Sequence, residues 1–519
     1  MELVKANLHM ERSKCQVSTQ VTLEEDKNIS DRNPDASAIL LERAEVAMDE
    51  IRPGKDLVVV RGRLVYEILI RSQEDEGRMY CLQGEISFEE KIRAEGLEAI
   101  DHVEVYPQIE DLRAGLINSR KISIRALLQF GVSALVLYDE EIPVGLTGAE
   151  GMEVQKELLS QSVLAVERKD ILRIKEELEL PANMPPVQEV LWKSLELGKW
   201  EIRTLEDSIG MQGEIRLFLF YEGEGEGRSI KSFSTTIPFS QNLECPGSRS
   251  TMLSEIVPKI ASGVLGIKED YDGESRMLEV EMVLDLPIRL LENREWEILT
   301  DAYGTTKEVT PVYTKGYRKM MQDKQQGRIK LSQVFSVPSS GGKILQVCHV
   351  ESSLLPQEVI KSERGLEVEG AIAVTILYMT EDEEKAYESI KGEIPYSYLA
   401  ENVSLTEESY WNIVPALEIL TGTLLDSENI EIKAIVGLEI TLGKRWQQPT
   451  LSGLQVQPFQ PEKLRELPGI VVYFPGKQES LWEVGKKYLT PLDSIRSLNQ
   501  LSSDTLQKGQ KILIVKEVN

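Results

Sequence analysis

The sequence predicts a mainly β protein, made of three tandem units of the β-sandwich or open-barrel type and a small strand–helix–helix–strand module at the C-terminal end. Three observations predict this fold class. A set of strand signals recurs three times in the same order. Each copy contains long stretches of alternating apolar and polar residues. The segment after residue 467 then changes to a mixed helix and strand pattern. At 519 residues the chain is also too long for one hydrophobic core.

Each repeat contains a glycine followed by a run of β-branched, aromatic and aliphatic residues. These strand-like runs are GRLVYEILI from Gly62, GEIRLFLFY from Gly213 and GAIAVTILY from Gly370. Twenty-four residues after each glycine comes a second signal, ISF, IPF or IPY, and a polar connection lies between the two. Strand, polar turn and strand predict a β-hairpin. Each repeat ends in a long alternating stretch that predicts a strand with one buried face: KISIRALLQFGV, RMLEVEMVLDLPI or NIEIKAIVGLEITL.

The period of about 150 residues indicates tandem domains rather than a solenoid. The predicted domains are residues 1–150, 151–320 and 321–450, a linker over 451–467 and the final module over 468–519. Two further segments have apolar residues at roughly helical spacing. We therefore expect a helix within residues 145–170 and another within 315–328.

Composition and charge limit the classes of function. The opening segment MELVKANLHMERSKC is charged throughout and is not expected to be a signal peptide, and no run approaches the roughly 18 apolar residues of a membrane span. Four scattered cysteines fit a reducing compartment. The net charge is −27; residues 468–519, with seven basic and five acidic residues, contribute +2 and leave −29 for the rest. The strong negative charge of residues 1–467 argues against nucleic acid and anionic membranes as binding targets. It is explained either by a role in solubility or by a basic binding partner.

The sequence contains no pattern typical of catalysis, of a cofactor or of a metal. It has three histidines and lacks the GxSxG, HExxH, Walker A and paired-cysteine motifs. Cys348 and His349 are adjacent, but neighbours on a strand point to opposite faces, so we do not expect a nucleophile–base pair. The sequence therefore predicts a non-enzymatic protein without a cofactor or a metal site.

The final module has four elements. IVVYF and LQKGQKILIV predict its first and last strands. Between them, Ser480 can cap a helix in which Leu481 and Val484 face the core, and PLDSIRSLNQL predicts a second helix. This order resembles the LysM domain, on the following residues: Leu481-Trp482, Tyr488, Ile495, Asn499, Leu506, Gly509 and Ile512-x-Ile514. We expect Leu481, Val484, Ile495, Leu506 and Ile512 to form its core and Asn499 to be a turn or capping residue.

The turn after the first strand departs from glycan-reading LysM domains. In those domains a Gly-Asp-Thr turn and the loop before the last strand form the groove for N-acetylglucosamine. Here the turn is GKQES, with Lys477, Gln478 and Glu479 after Gly476. A saccharide groove depends on a few placed hydrogen-bonding groups. The resemblance therefore implies a module whose surface binds a protein, with binding of peptidoglycan or N-acetylglucosamine as the alternative.

The repeats resemble SPOCS (spore coat assembly) domains, on the glycine–strand signal and the I-P-F/Y signal. The first repeat departs from the pattern, with Ser87 where Pro238 and Pro395 stand. Three such units followed by one LysM domain resemble the SipL family of spore coat morphogenetic proteins, with SpoVID as a more distant relative. The resemblance implies a mother-cell cytoplasmic protein at the forespore surface. It also implies that LysM binds the coat ATPase SpoIVA, while the SPOCS units bind other coat proteins or self-associate.

For the contact with the ATPase we predict one surface of the LysM module. It comprises the exposed side of the first helix and the turn before it: Lys477, Trp482, Lys486 and Lys487. Tryptophan and basic residues are effective interface anchors. A core position for Trp482 is an equal alternative.

Overall fold

A computed structural model of the protein describes residues 2–73, 78–225, 229–337, 342–382, 385–401, 405–459, 468–476 and 479–516. Within these ranges the protein consists mostly of strands, and both α-helices lie in the C-terminal module. The mainly β fold class is thereby confirmed. In the same ranges, no helix is long and apolar enough to cross a membrane.

The first unit is a sandwich of two three-stranded antiparallel sheets. Its strands are β1 (Glu2–Asn28), β2 (Ala36–Gly54), β3 (Leu57–Ser72), β4 (Met79–Arg93), β5 (His102–Asn118) and β6 (Lys121–Thr147). One sheet has the order β1-β6-β5 and the other has the order β2-β3-β4. Leu64, Phe88 and Phe130 are buried between the sheets, so the alternating apolar faces form the core.

The second and third units repeat this plan. The second contains β7 (Met152–Glu179), β8 (Val187–Leu205), β9 (Ser208–Gly223), β10 (Ser229–Glu244), β11 (Leu253–Glu255), β12 (Lys259–Glu269) and β13 (Ser275–Gly304). The third contains β14 (Glu308–Ser336), β15 (Ile344–Leu354), β16 (Glu358–Ser362), β17 (Gly365–Thr380), β18 (Tyr387–Glu401), β19 (Ser409–Leu424) and β20 (Asn429–Gln457). In each unit the long first strand pairs with the long last strand, and the hairpin strands form the second sheet. The predicted division at residues 320 and 321 falls within β14.

An aromatic ring explains the glycine of the first strand signal in each repeat. Across each hairpin the glycine pairs with the aromatic residue of the second signal: Gly62 with Phe88, Gly213 with Phe239 and Gly370 with Tyr396. A Cβ atom on Gly213 would lie 2.8 Å from the Phe239 ring, and one on Gly370 would lie 2.5 Å from the Tyr396 ring. The ring covers the glycine, which accounts for the constant spacing of the two signals.

The three units meet in one apolar cluster, which we call the central junction. Its buried members are Leu40, Leu41, Leu69, Met79, Leu191, Trp192, Phe218, Phe220, Leu377 and Tyr387. The registers show that the units contribute equivalent positions: Leu41 pairs with Leu69, Trp192 with Phe220 and His349 with Leu377. The repeat in the sequence is therefore also a repeat in packing.

Both helices expected outside the C-terminal module are wrong. Residues 145–147 end β6, residues 152–170 belong to β7 with a short turn between the two strands, and residues 315–328 belong to β14. On β7 the alternate residues Leu159, Gln161 and Val163 are buried, whereas Leu158 is 66% exposed. A buried polar residue, Gln161, interrupts the apolar alternation and leaves a spacing that resembles a helix. On β14 the buried Arg318 has the same effect.

The C-terminal module has the predicted strand–helix–helix–strand order. Its elements are β21 (Ile470–Tyr473), α1 (Leu481–Tyr488), α2 (Leu492–Asn499) and β22 (Ile512–Val515). Ser480 caps α1 in a reciprocal capping box with Glu483. The five residues predicted for the core, Leu481, Val484, Ile495, Leu506 and Ile512, are buried together.

Candidate protein-binding site

The structure describes three of the four residues predicted to bind the partner, and it places them in different environments. Lys477 lies outside the described residues. Lys487 is exposed, and its ammonium lies 4.9 Å from the centre of the Tyr473 ring. Trp482 and Lys486, in contrast, face the second unit, and Trp482 is 9% exposed. Partner binding through these residues stays a prediction.

Asp301 of β13 is the centre of the contact between α1 and the second unit. Its Oδ2 accepts hydrogen bonds from the indole N–H of Trp482 at 3.0 Å and from the Lys486 ammonium at 2.6 Å. Its Oδ1 accepts from the Tyr313 hydroxyl at 3.0 Å. Burial disfavours the charge on Asp301, but the hydrogen bonds from Lys486 and Trp482 outweigh it and lower the pKa of Asp301 below its ordinary value.

Tyr303 adds an aromatic and a backbone contact. Its ring meets the Trp482 ring edge-on, with 4.9 Å between centroids. Its hydroxyl donates to the carbonyl oxygen of Thr490 at 2.8 Å. Gly485 permits this approach, because a Cβ atom there would lie 2.5 Å from the Tyr303 oxygen. We call this set, Asp301 and Tyr303 against Trp482, Gly485, Lys486 and Thr490, the docking contact.

Glu479, in the turn before α1, is hydrogen-bonded within the C-terminal module. The Glu479 carboxylate accepts the backbone N–H of Gly476 at 2.7 Å and the Tyr473 hydroxyl at 2.8 Å. These two hydrogen bonds, first that from Gly476, lower the pKa of Glu479. The backbone N–H of Gly476, at the edge of the groove that binds the saccharide in glycan-reading LysM domains, therefore already donates to Glu479 of the same module.

Asn499 has the structural role expected from the sequence. Its amide nitrogen donates to the carbonyl oxygens of Ile495 and Leu513 at 2.9 and 2.7 Å. Its amide oxygen accepts the backbone N–H of Leu513 at 2.7 Å. Asn499 therefore ties α2 to β22.

Cys348 and His349 do not act as a pair. The His349 ring stacks on Phe218 with 3.7 Å between centroids, and its Nε2 lies 3.2 Å from the Glu351 carboxylate. Burial raises the pKa of the Cys348 thiol to about 12. A thiolate is therefore disfavoured, and the two residues serve the packing of the central junction.

Two family models match the chain. The SipL SPOCS domain matches residues 35–117 and 186–262, and the LysM domain matches residues 476–515. The two SPOCS matches correspond to β2–β5 of the first unit and to β8–β11 with the start of β12 in the second. The chain has the domain make-up of a SipL-type protein. No curated protein and no solved structure matches it. The SipL-type domains identify a sporulation protein related to the spore coat, with a C-terminal domain of the peptidoglycan-binding type.

The third unit falls outside both matches, yet it has the same strand order as the other two. Its leading strand is divided into β15 and β16, and Pro356 lies between them. Proline has no N–H to donate to the ladder, so it interrupts the pairing with β17.

Sequence reasoning missed the residues that hold the module to the body. Asp301 and Tyr303 lie on a long alternating strand, where a carboxylate and a tyrosine look like ordinary surface and core residues. No periodicity marks them as contacts between units. The one sequence feature that could have indicated a contact at this place is Trp482, a large aromatic residue on a helix of only eight residues.

Proposed function

We propose that this chain is a non-enzymatic assembly factor of the spore coat that works in the mother-cell cytoplasm at the forespore surface. Its LysM domain binds the coat ATPase SpoIVA, and its SPOCS units bind further coat proteins or self-associate. The co-occurrence of SipL-type SPOCS domains with a C-terminal LysM domain carries this proposal.

The turn before α1 supports a protein partner rather than a sugar. Glu479 accepts the N–H of Gly476, so this donor is not directed at a saccharide. The described C-terminal module also exposes apolar side chains suited to a protein interface, with Phe474 60% and Leu498 46% exposed.

The partner surface on the module comprises Lys477, Trp482, Lys486 and Lys487. The docking contact buries Trp482 and pairs the partly exposed Lys486 with Asp301, so the ATPase would have to displace the second unit to reach Trp482 and would compete with Asp301 for Lys486. The linker keeps the displaced module near the body, where the docking contact can re-form.

A pull-down of the ATPase with the full chain tests this surface. Replacing Lys477, Trp482, Lys486 and Lys487 by alanine should abolish retention of the ATPase. Replacing Lys508 and Lys511, which precede β22, is the control and should leave it unchanged. Full retention by the four-residue variant would exclude this surface, and fluorescent localisation in sporulating cells with and without residues 468–519 tests the location.

The LysM match itself favours a second candidate function, binding of peptidoglycan or N-acetylglucosamine oligomers. This function predicts that the full chain sediments with purified peptidoglycan and binds chitin-type oligomers. If the chain captures the ATPase but neither sediments with peptidoglycan nor binds the oligomers at millimolar concentration, the proposed protein-binding function is supported and the glycan-binding function is excluded. Tight oligomer binding without capture of coat proteins would reverse this conclusion.

A further inference from the structure

A second surface lies between the first and third units, away from the C-terminal module. The first strands of neighbouring units pack together in two places, β1 against β7 and β7 against β14. Between β1 and the third unit there is instead a cleft of about 630 Å³. We call it the inter-unit cleft; it is lined by residues 10–14 of β1, Leu135 of β6, residues 317–319 of β14, Glu407, Glu408 and residues 445–447 of β20. Its volume is typical of ligand-binding pockets.

The cleft follows the edges of strands rather than their faces. Five consecutive residues of β1 line it, although neighbouring side chains on a strand point to opposite faces. β1 is an outer strand and, among the described strands, pairs with β6. On the other wall, β20 extends beyond the start of β19, because Ser409 pairs with Lys444 and residues 445–447 continue past it. The backbone N–H of Arg445 already donates to the carbonyl oxygen of Glu408 at 2.8 Å, so on this wall the open strand edge begins after Arg445. The edge of β1 and this part of β20 therefore offer backbone groups to a further strand.

Two arginines on these walls are held by aromatic rings. The Arg12 guanidinium lies 5.0 Å from the centre of the Tyr317 ring, and that of Arg445 lies 4.2 Å from the centre of the Tyr410 ring. Within the part of the chain that the structure describes, neither arginine forms an ion pair. The other cations of the cleft are neutralised: Lys14 by Asp101, Arg318 by Glu140 and Lys319 by Glu11.

The fold does not require an arginine at these positions. Each long first strand has a bulge at an equivalent place, before Cys15, Val166 and Asp323. Arg12 lies three residues before the residue that follows the bulge, and the residues at the same place in the second and third units are Val163 and Met320. By cross-strand pairing, Arg445 corresponds to Leu137 and Asn293. The two charges are thus specific to this cleft.

A buried polar group marks the base of the cleft. Arg318 is 2% exposed and lines the cleft, and its Nε has no hydrogen-bond partner among the described residues. Glu407 and Glu408 also line the cleft, so attraction must come from direct pairing with Arg12 and Arg445 and not from a broad positive field.

We propose that the inter-unit cleft binds an extended, carboxylate-bearing segment of a partner protein by strand addition. Backbone hydrogen bonds to a strand edge would hold the segment, and every second side chain would point to one wall. Acidic side chains at those positions would pair with Arg12 and Arg445. This site is independent of the LysM surface, so it stands whether or not the proposed contact with the ATPase is correct.

Fluorescence anisotropy with the full chain at low ionic strength tests the proposal. The probe is a labelled, acetylated pentapeptide amide, Val-Glu-Val-Glu-Val, compared with its Gln analogue and with the Glu peptide methylated on alternate backbone nitrogens. We expect the Gln and the N-methylated peptides to bind at least about tenfold more weakly, since one loses the charge pairs and the other the strand hydrogen bonds.

Variants assign the binding to the cleft. Arg12→Val with Arg445→Leu, which introduces residues found at the equivalent positions, should weaken binding of the Glu peptide at least about tenfold. Glu407→Gln with Glu408→Gln should strengthen it. Arg93→Leu is the control, because its side chain is 82% exposed on β4 and does not line the cleft. Equal binding of the Glu and Gln peptides, equal binding of the N-methylated peptide, or unchanged binding by the double arginine variant would overturn the proposal.

Discussion

Trp482 of the C-terminal module donates its indole N–H to Asp301 of the second unit, with 3.0 Å between Nε1 and Oδ2. Lys486 of the same helix donates to the same oxygen at 2.6 Å. Two of the four residues predicted to bind the coat ATPase thus already have a partner within the chain. The module can either use this part of α1 to dock on its own body or present it to another protein.

Replacing Asp301 by alanine should release the module from the second unit. The variant leaves the Trp482 N–H and the Lys486 ammonium without their acceptor, at a cost of about 1–3 kcal/mol to the docked state. Fluorine NMR of protein labelled with 5-fluorotryptophan reports the exposure of Trp482. We expect its resonance to shift toward that of a solvent-exposed indole in Asp301→Ala and to stay unchanged in Asp272→Ala, an exposed carboxylate of the same unit. An unshifted Trp482 resonance in Asp301→Ala would show that Asp301 does not hold the module.

Docking should also weaken in acid. Because the pKa of Asp301 is lower in the docked state, the docked state gains stability from this ionised carboxylate above its ordinary pKa and loses it as the pH falls through the lowered value. We therefore expect the Trp482 resonance to be constant from about pH 5 to 8 and to change below about pH 4. Asp301→Asn should remove this transition; a transition that persists in that variant must arise from another group.

Glu351 should be critical for the packing of the three units. It is 7% exposed, and its Oε2 accepts the indole N–H of Trp192 at 3.0 Å and lies 3.2 Å from Nε2 of His349. Glu351→Ala leaves buried donors from two units without an acceptor, and we expect it to lower the free energy of unfolding by about 3–5 kcal/mol. Urea denaturation measures this loss.

The matched control for Glu351 is Glu358→Ala, an exposed carboxylate on β16 of the same unit. It should change the free energy of unfolding by no more than about 0.5 kcal/mol. Similar losses in both variants would mean that the hydrogen bonds at the central junction contribute little.

The repeat and the LysM module were predictable because both depend on local signals. Gly213 and Phe239 lie 26 residues apart in the sequence and opposite each other in the hairpin, so their spacing encodes a contact. In the C-terminal module, Ser480 and the spacing of Leu481 and Val484 predicted the helix start and its buried face, which the structure confirms.

Contacts between units could not be predicted in this way. Gln161 and Arg318 are buried polar residues on long strands, and they broke the apolar alternation that identifies a strand. His349 stands where the other units have Leu41 and Trp192, so its environment is set by packing across units and not by its neighbour Cys348. Asp301 has no sequence signal that links it to Trp482, because that contact joins residues 181 positions apart.

Gly213→Ala should destabilise the second unit by displacing Phe239. The added Cβ would lie 2.8 Å from the Phe239 ring and 2.9 Å from the carbonyl oxygen of Lys199, so the ring or the strand must move, at a cost of about 1–3 kcal/mol. Gly263→Ala is the control, since its nearest neighbour, Leu195, would be 3.5 Å away. Urea denaturation of Gly213→Ala with and without Phe239→Ala then separates the two clashes. If the ring is the main obstacle, the cost of Gly213→Ala falls once Phe239 is removed; an unchanged cost would assign the effect to the backbone of Lys199.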